Sequence, residues 1–269
     1  MENLTKTQQV GSRLVTKFGD SQDAAVWVER LKGYATGTRQ VYLYSLYDYY
    51  KSQGKEIPGL KEQSVTLKAG LLTEAKKQEK TPKQKENWLE WKDVLRVRVE
   101  LKKEQDTYGQ HLHYLILCLY TMIPPLRLDW ATGIIHNTEA PVPAEGNVLD
   151  LKNNCFHLRN YKTARTHGAL TLPIPEDLQI VLKDSLTRFP RKAVLGQARN
   201  MDLPINAANL SQHLLNIFQK KAGRRISVQI LRRSFVSHQM AGEPSLAEQE
   251  RRATALGHTF AVHQLYRKL

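Results

Sequence analysis

Apolar residues recur at helical spacing in the amino-terminal part of the chain. A capping residue, Asp20 or Ser21, precedes a helical pattern that ends at Gly33. A second pattern runs from Thr36 to Gly54, where apolar side chains recur at mixed spacings of three and four residues. Both patterns predict amphipathic helices that end at a glycine.

A lysine-rich polar stretch, residues 76–85, interrupts these patterns and contains Pro82. This composition is typical of a linker or an exposed helix end. The stretch therefore predicts a domain boundary, with a helical domain at residues 1–80 and a second domain at residues 81–269.

Helical periodicity resumes at residues 87–99 and 106–122, where Pro124 and Pro125 end it. Short β-prone segments then alternate with Asn, Gly and Pro: Gly133–His136, Cys155–Arg159 and Ala169–Leu172. Helical patterns return at residues 206–221, 227–240 and 244–256, with a final short segment from Thr259. The predicted fold class is mainly α with a small antiparallel β-sheet (α+β).

The charge balance favours a polyanionic partner. Lys and Arg number 40 against 26 Asp and Glu, which gives a formal net charge of +14. Ribosomal and membrane-surface proteins share such a balance, so charge alone does not identify DNA as the partner.

The two cysteines, Cys118 and Cys155, are far apart and lack the paired spacings of a zinc site. We therefore expect neither a disulfide framework nor a metal. The longest apolar run, Tyr114–Tyr120, is too short to cross a bilayer, and no hydrophobic signal segment begins the chain. These features favour a soluble, intracellular protein.

Four dispersed side chains suit attack on a phosphodiester: Arg127 after the proline pair, Arg232, His258 after Gly257, and Tyr266. Arginine stabilises charge on non-bridging phosphate oxygens because its planar fork stays charged and binds two oxygens at once. Lysine or histidine can supply the proton for a departing oxygen. Taken singly, each residue is more simply interpreted as a solvated or structural side chain.

Ser227 is a plausible N-cap, which places Gln229 and Arg232 on one face of the first helical turns, near the positive end of the helix dipole. Eight residues separate His258 from Tyr266, or about 12 Å along one unbroken helix. For both to reach one phosphate, the chain must turn after His258 or a neighbouring protomer must supply the tyrosine.

Further basic residues are candidates for contacts with the DNA backbone. They are Arg39 and Lys51 on the helix from Thr36, Lys83 and Lys85 in the lysine-rich stretch, and Arg233 beside Arg232.

Taken in order, five segments resemble the catalytic domain of the tyrosine recombinase (phage integrase) superfamily over roughly residues 85–269. They are Leu126-Arg127, Tyr161-Lys162-Thr163, Leu231-Arg232-Arg233-Ser234, Leu256-Gly257-His258 and Tyr266. Residues 36–50 resemble the core-binding domain of the same enzymes. The Pro-Pro-Leu-Arg-Leu-Asp-Trp segment is similar to a divergent branch found in viruses and mobile elements.

The resemblance implies that Tyr266 attacks DNA to form a 3′-phosphotyrosyl link while Arg127, Arg232 and His258 hold the phosphate. It implies that Lys162 protonates the departing 5′-oxygen, and that neither ATP, a metal nor another cofactor is required. Double-stranded DNA is the expected partner, bound by a homotetramer, and no membrane is involved.

Two departures from the family pattern matter. Gln229 stands where members commonly have histidine, so we expect it to hydrogen-bond the phosphate rather than transfer a proton. Trp130 stands where an acidic residue is common, and Asp129 comes one place earlier. Asp129 is therefore our candidate buttress for an active-site arginine.

Two alternatives stay open. A type IB topoisomerase-like enzyme has the same chemistry, and the motifs do not separate it from a recombinase. A DNA-binding protein with a degenerate catalytic domain is the other, and Gln229 is its main support.

Overall fold

The computed structural model describes residues 4–242 and 244–268. The chain divides into two compact units, Met1–Glu79 and Lys80–Leu269. Each unit has its own hydrophobic core. None of the described helices is both long enough and apolar enough to span a membrane.

The amino-terminal unit contains α1 (Lys6–Phe18), α2 (Ala24–Arg30), α3 (Thr36–Ser52) and α4 (Leu60–Lys76). Helix α3 packs against both α1 and α4. The core side chains are apolar and come from every helix; the largest include Trp27, Leu31, Leu43, Leu46 and Leu60.

The cap of α2 differs from the prediction. Asp23, rather than Asp20 or Ser21, is the N-cap, and its carboxylate accepts a hydrogen bond from the Ala25 amide at 2.8 Å. Asp20 instead accepts a hydrogen bond from the Tyr50 hydroxyl. The start of α3 at Thr36 agrees with the prediction.

Helices α1 and α3 approach closely at Gly11, which is buried. A methyl group on Gly11 would overlap the Ser45 carbonyl and the Tyr49 Cβ on α3. The absence of a side chain therefore sets the distance between these two helices.

The carboxyl-terminal unit has helices before and after a small sheet, and one short helix between the last two strands of that sheet. They are α5 (Pro82–Glu86), α6 (Trp91–Leu101), α7 (Tyr108–Thr121), α8 (Ala164–His167), α9 (Glu176–Arg188), α10 (Ala207–Ala222), α11 (Val228–Met240), α12 (Leu246–Ala255) and α13 (Phe260–Tyr266). The lysine-rich stretch thus contains the end of α4 and most of α5. A short 3₁₀ helix, Asp129–Thr132, follows the proline pair.

The sheet has four strands in the order β1 (Ile134–His136), β2 (Val148–Asp150), β3 (Cys155–Leu158) and β4 (Leu170–Pro173). The mainly helical fold with a small sheet is confirmed, but the sheet is mixed. Pairs β2–β3 and β3–β4 are antiparallel as predicted, whereas β1 and β2 are parallel. The reason is the long connection, residues 137–147, which returns the chain to the same end of the sheet.

The core of this unit surrounds α7, in which Leu115–Tyr120 are all buried. Trp130 stacks on Phe156 of β3, with ring centroids 4.0 Å apart. Tyr120, at the end of this buried run, donates a hydrogen bond from its hydroxyl to the Arg127 carbonyl. This hydrogen bond connects the core to the turn that carries Arg127.

We expect Gly11→Ala to destabilise the protein by about 1–3 kcal/mol, because the added methyl group must push α1 away from α3. Gly70→Ala in α4 is the matched control, since a methyl group there has no heavy atom within 4 Å. It should stabilise by about 0.5–1 kcal/mol. Urea denaturation of both variants measures the effects, and equal stabilities would contradict this interpretation.

Candidate active site

Arg232 lies on α11, whose N-cap Ser227 accepts a hydrogen bond from the Ile230 amide at 3.4 Å. Its side chain is 1% exposed. The guanidinium donates hydrogen bonds to the Pro125 carbonyl and, at 3.0 Å, to the Leu256 carbonyl. Burial lowers the pKa of Arg232, and the nearby positive charge of Arg127 lowers it further.

Arg127 is half-buried, in the turn after the proline pair. Its backbone amide donates to the Asp129 carboxylate at 3.1 Å. Asp129 therefore holds the backbone of Arg127, and among the described ion pairs none joins Asp129 to an arginine side chain. Burial is the largest cause of a raised pKa at Asp129, although the charges of Arg127 and Arg232 oppose it.

His258 follows Gly257, whose φ of +62° ends α12 with a left-handed residue, as the sequence predicted. The imidazole is 3% exposed, and its Nε2 lies 2.6 Å from Arg232 Nη2. A guanidinium only donates, so Nε2 accepts and the neutral ring carries its proton on Nδ1. Burial, with the charges of Arg232 and Arg127, lowers the pKa of His258 to about 3.

Tyr266 is the last residue of α13, which begins after a turn at the N-cap Thr259. This turn brings the Tyr266 and His258 rings to a centroid distance of 4.3 Å within one chain. The guanidinium carbons of Arg232 and Arg233 lie 5.8 Å and 5.6 Å from the Tyr266 ring centroid. Of the two arrangements that the sequence left open, the structure shows the turn after His258 within one chain.

Lys162 lies in the turn between β3 and β4, as predicted, and is exposed. It makes no hydrogen bond or ion pair with a described residue, but its neighbours are anchored. The Thr163 hydroxyl donates to the Gly257 carbonyl at 3.2 Å, and the Tyr161 hydroxyl donates to the Gly168 carbonyl at 2.8 Å. The turn that carries Lys162 is thus attached to the segment that carries His258.

Gln229 lies on the first turn of α11 and is exposed. It has no hydrogen-bond partner among the described residues. The structure places it on the same helix as Arg232 but does not bring it into contact with His258 or Tyr266.

The other basic residues are distributed over both units. Lys51 is an exposed residue of α3, while Arg39 is half-buried and its Nε is buried without a partner in the described structure. Lys83 and Lys85 are exposed on α5. Arg233 contacts Tyr266 and is partly buried, and this burial lowers its pKa.

Sequence reasoning missed Asn147, a buried residue just before β2 that joins two parts of the site. Its side-chain amide donates to the carbonyls of Asp129 and Asn160, at 3.2 Å and 3.0 Å. Its side-chain oxygen accepts hydrogen bonds from the Arg159 and Asn160 amides. Asn147 therefore links the segment that follows Arg127 to residues 159–160, just before the Lys162 turn. No local sequence motif indicates this role.

The chain is similar to two solved recombinase structures. It is 15% identical to the XerH site-specific recombinase bound to its difH substrate in a pre-cleavage complex, with a TM-score of 0.57. That likeness covers 90% of this chain and 65% of the XerH chain. The XerA recombinase is 13% identical, with a TM-score of 0.49 over 98% of this chain and 86% of that chain.

No protein-family model matches the sequence, and no curated protein matches it. The likeness to XerH shows that the chain has the tyrosine recombinase fold that the five motifs implied.

We expect acid to destabilise the protein through His258. Because folding lowers its pKa, the unfolded chain binds a proton between pH 6.5 and about 3 that the folded protein does not bind. The contribution of His258 to the free energy of unfolding is complete above pH 6.5. It is lost as pH falls, by up to about 1.4 kcal/mol per pH unit. Urea denaturation between about pH 7 and pH 4 measures this loss.

His258→Asn should weaken the pH dependence, whereas His238→Asn at an exposed position should leave it unchanged. Part of the pH dependence of stability should persist in His258→Asn, because burial also lowers the pKa of His111 and of His113 to about 4. The same pH dependence in His258→Asn and the wild type would contradict this assignment.

Proposed function

We propose that this chain is a site-specific DNA recombinase that cleaves and rejoins strands through a phosphotyrosyl intermediate, with Tyr266 as nucleophile. The observation that carries the proposal is the contact between three residues that are separated along the chain. Arg232 donates to His258, whose ring lies 4.3 Å from that of Tyr266. The tyrosine recombinase fold supports it.

The cleavage step uses each residue for a distinct task. The Tyr266 oxygen attacks the phosphorus and forms a bond to the 3′-phosphate, while the bond to the 5′-oxygen breaks. Lys162 gives that oxygen its proton, and Tyr266 loses its own proton to solvent. Because one phosphodiester replaces another, the bond energy is conserved and ATP is not required. Side chains supply both charge and proton, so the step needs no metal.

Arg232 supports the phosphate-binding role because it is a buried cation without a carboxylate partner. None of the ion pairs among the described residues includes it, and carbonyl groups accept its hydrogen bonds. Its Nε and the Nδ1 of His258 are buried and have no described partner. Buried donors normally have an acceptor, and the oxygens of a bound phosphate are suitable acceptors for these two.

His258 acts in this scheme as a neutral hydrogen-bond donor. Its pKa of about 3 keeps the ring uncharged near neutral pH, and Nε2 already accepts from Arg232. Proton donation to the 5′-oxygen therefore belongs to Lys162, which is exposed toward solvent. Gln229, a neutral amide, hydrogen-bonds the phosphate without transferring a proton.

The net charge of +14 supports binding to double-stranded DNA. Arg39, Lys51, Lys83 and Lys85 are the proposed backbone contacts, while Arg233 is proposed to contact both the DNA and Tyr266. Residues 1–80 form the proposed core-binding domain and residues 81–269 the catalytic domain. Strand exchange between two duplexes requires several active sites, so a homotetramer is the proposed assembly.

We expect a DNA substrate with a nick near the cleavage site to trap a covalent protein–DNA adduct, because the short strand beyond the nick diffuses away. Tyr266→Phe keeps the ring contact with His258 and lacks the nucleophilic oxygen, so it should form no adduct. Tyr108→Phe, which loses a hydroxyl that donates to the Gly196 carbonyl away from the candidate site, is the matched control and should retain adduct formation. Denaturing gel electrophoresis measures the adduct.

An adduct in Tyr266→Phe would remove Tyr266 as nucleophile, and no adduct with any substrate would favour a DNA-binding protein with a degenerate site. Exchange between two marked duplexes separates a recombinase from a type IB topoisomerase. Relaxation of supercoils by a monomer without exchange would favour the topoisomerase.

We expect Arg127→Ala to lower the cleavage rate at saturating DNA on the order of 100-fold, with a much smaller effect on binding, because its charge is used mainly in the transition state. Lys83→Ala with Lys85→Ala should do the reverse, lowering affinity and reducing the slope of log affinity against log salt by about two. Equal losses of binding and cleavage in Arg127→Ala would contradict its role.

A further inference from the structure

A group of three potential metal ligands lies outside the candidate active site. Among the described residues, Asp150, Cys155 and His157 bring a carboxylate oxygen, a thiol sulfur and an imidazole nitrogen within 4.8 Å of one another. Asp150 and Cys155 are buried, and the His157 side chain is 20% exposed. A carboxylate, a thiol and an imidazole together are a ligand set that zinc favours.

The pairing of β2 with β3 creates this group. Asp150 is the register partner of Cys155, so their side chains lie on the same face of the sheet. Cys155 and His157 are two residues apart on β3 and share that face, while Phe156 between them points into the core. The three ligands are therefore held by backbone hydrogen bonds of the sheet.

The distances between donor atoms suit a tetrahedral ion. Cys155 Sγ lies 3.4 Å from His157 Nε2, and that nitrogen lies 3.6 Å from Asp150 Oδ2. Zinc with bonds of about 2.3 Å to sulfur and about 2.0–2.1 Å to nitrogen and oxygen separates such donors by roughly 3.3–3.6 Å. Two of the three separations therefore match those of a tetrahedral ion, and all three donors lie within 4.8 Å of one another.

Outer hydrogen bonds orient two of the ligands. His157 Nδ1 lies 3.3 Å from the Thr171 hydroxyl on β4, and donation to that oxygen leaves the Nε2 lone pair free for a metal. The Asp150 carboxylate accepts hydrogen bonds from the Lys152 and Asn153 amides, both at 3.1 Å. The Asn153 side chain donates to it at 2.7 Å. Partners of this kind are typical of metal sites.

We propose that Asp150, Cys155 and His157 bind one Zn²⁺ ion. Bonds form from zinc to Sγ, Nε2 and Oδ2, and the Cys155 thiol releases its proton to solvent. A water molecule takes the fourth position, on the side where His157 is exposed. The ion cross-links β2 to β3, the strand that leads into the turn with Lys162, and its ligands are separate from the residues proposed for DNA cleavage.

Zinc titration of the purified full-length chain, with a competing zinc indicator, tests the proposal without DNA. The wild type should bind one equivalent of zinc tightly. Cobalt should give a thiolate charge-transfer absorption band that Cys155→Ser abolishes. Cys118→Ser, which changes a buried cysteine of α7, is the matched control and should retain both signals.

Thr171→Val should lower zinc affinity by about 10-fold, because it removes only the outer partner of His157. Excess zinc should raise the thermal midpoint by roughly 5 °C in the wild type and in Cys118→Ser. Cys155→Ser and His157→Asn should show no such shift.

The proposal is overturned if the wild type retains less than one equivalent, or if Cys155→Ser binds zinc as tightly as the wild type. In those cases the three groups form only a hydrogen-bonded cluster. Should Cys155→Ser fail to fold, the wild-type stoichiometry and the Thr171→Val affinity decide the matter.

Discussion

The buried guanidinium of Arg232 is the contact on which the site depends. It donates to carbonyls of Pro125 and Leu256 and to the imidazole of His258, which belong to two separate segments, the proline turn and the end of α12. Leaving such a charge buried without partners costs several kcal/mol. The proline turn and the end of α12 must therefore stay where their carbonyl groups meet α11.

The other candidate residues are held in place by hydrogen bonds beside these segments. The Asp129 carboxylate and the Tyr120 hydroxyl hold the backbone of Arg127. Thr163 ties the Lys162 turn to Gly257. These bonds fix the two turns without using the side chains of Arg127 and Lys162.

Burial divides the site into two parts with different chemistry. Arg232 and His258 are buried, and this burial lowers the pKa of both groups. Lys162 and Gln229 are exposed and have no described partner. Hydrogen bonds within the protein organise the buried part, whereas the two exposed side chains have none among the described residues. The proposed zinc ligands lie on the same sheet as the Lys162 turn and would stiffen its strands.

Local sequence determined those features that short-range chemistry controls. Ser227 caps α11, the proline pair follows the end of α7, and Gly257 takes the left-handed conformation that ends α12. The order of Arg127, Lys162, Arg232, His258 and Tyr266 was also sufficient to indicate the fold that the XerH likeness shows.

Only the tertiary structure decided how distant segments meet. The parallel pairing of β1 with β2, the bond from Asp129 to a backbone amide, the linking role of Asn147 and the approach of Cys155 to Asp150 all depend on strand register or on burial. Spacing along the chain does not encode these contacts, because the energy of burying and pairing polar groups depends on every segment that surrounds them.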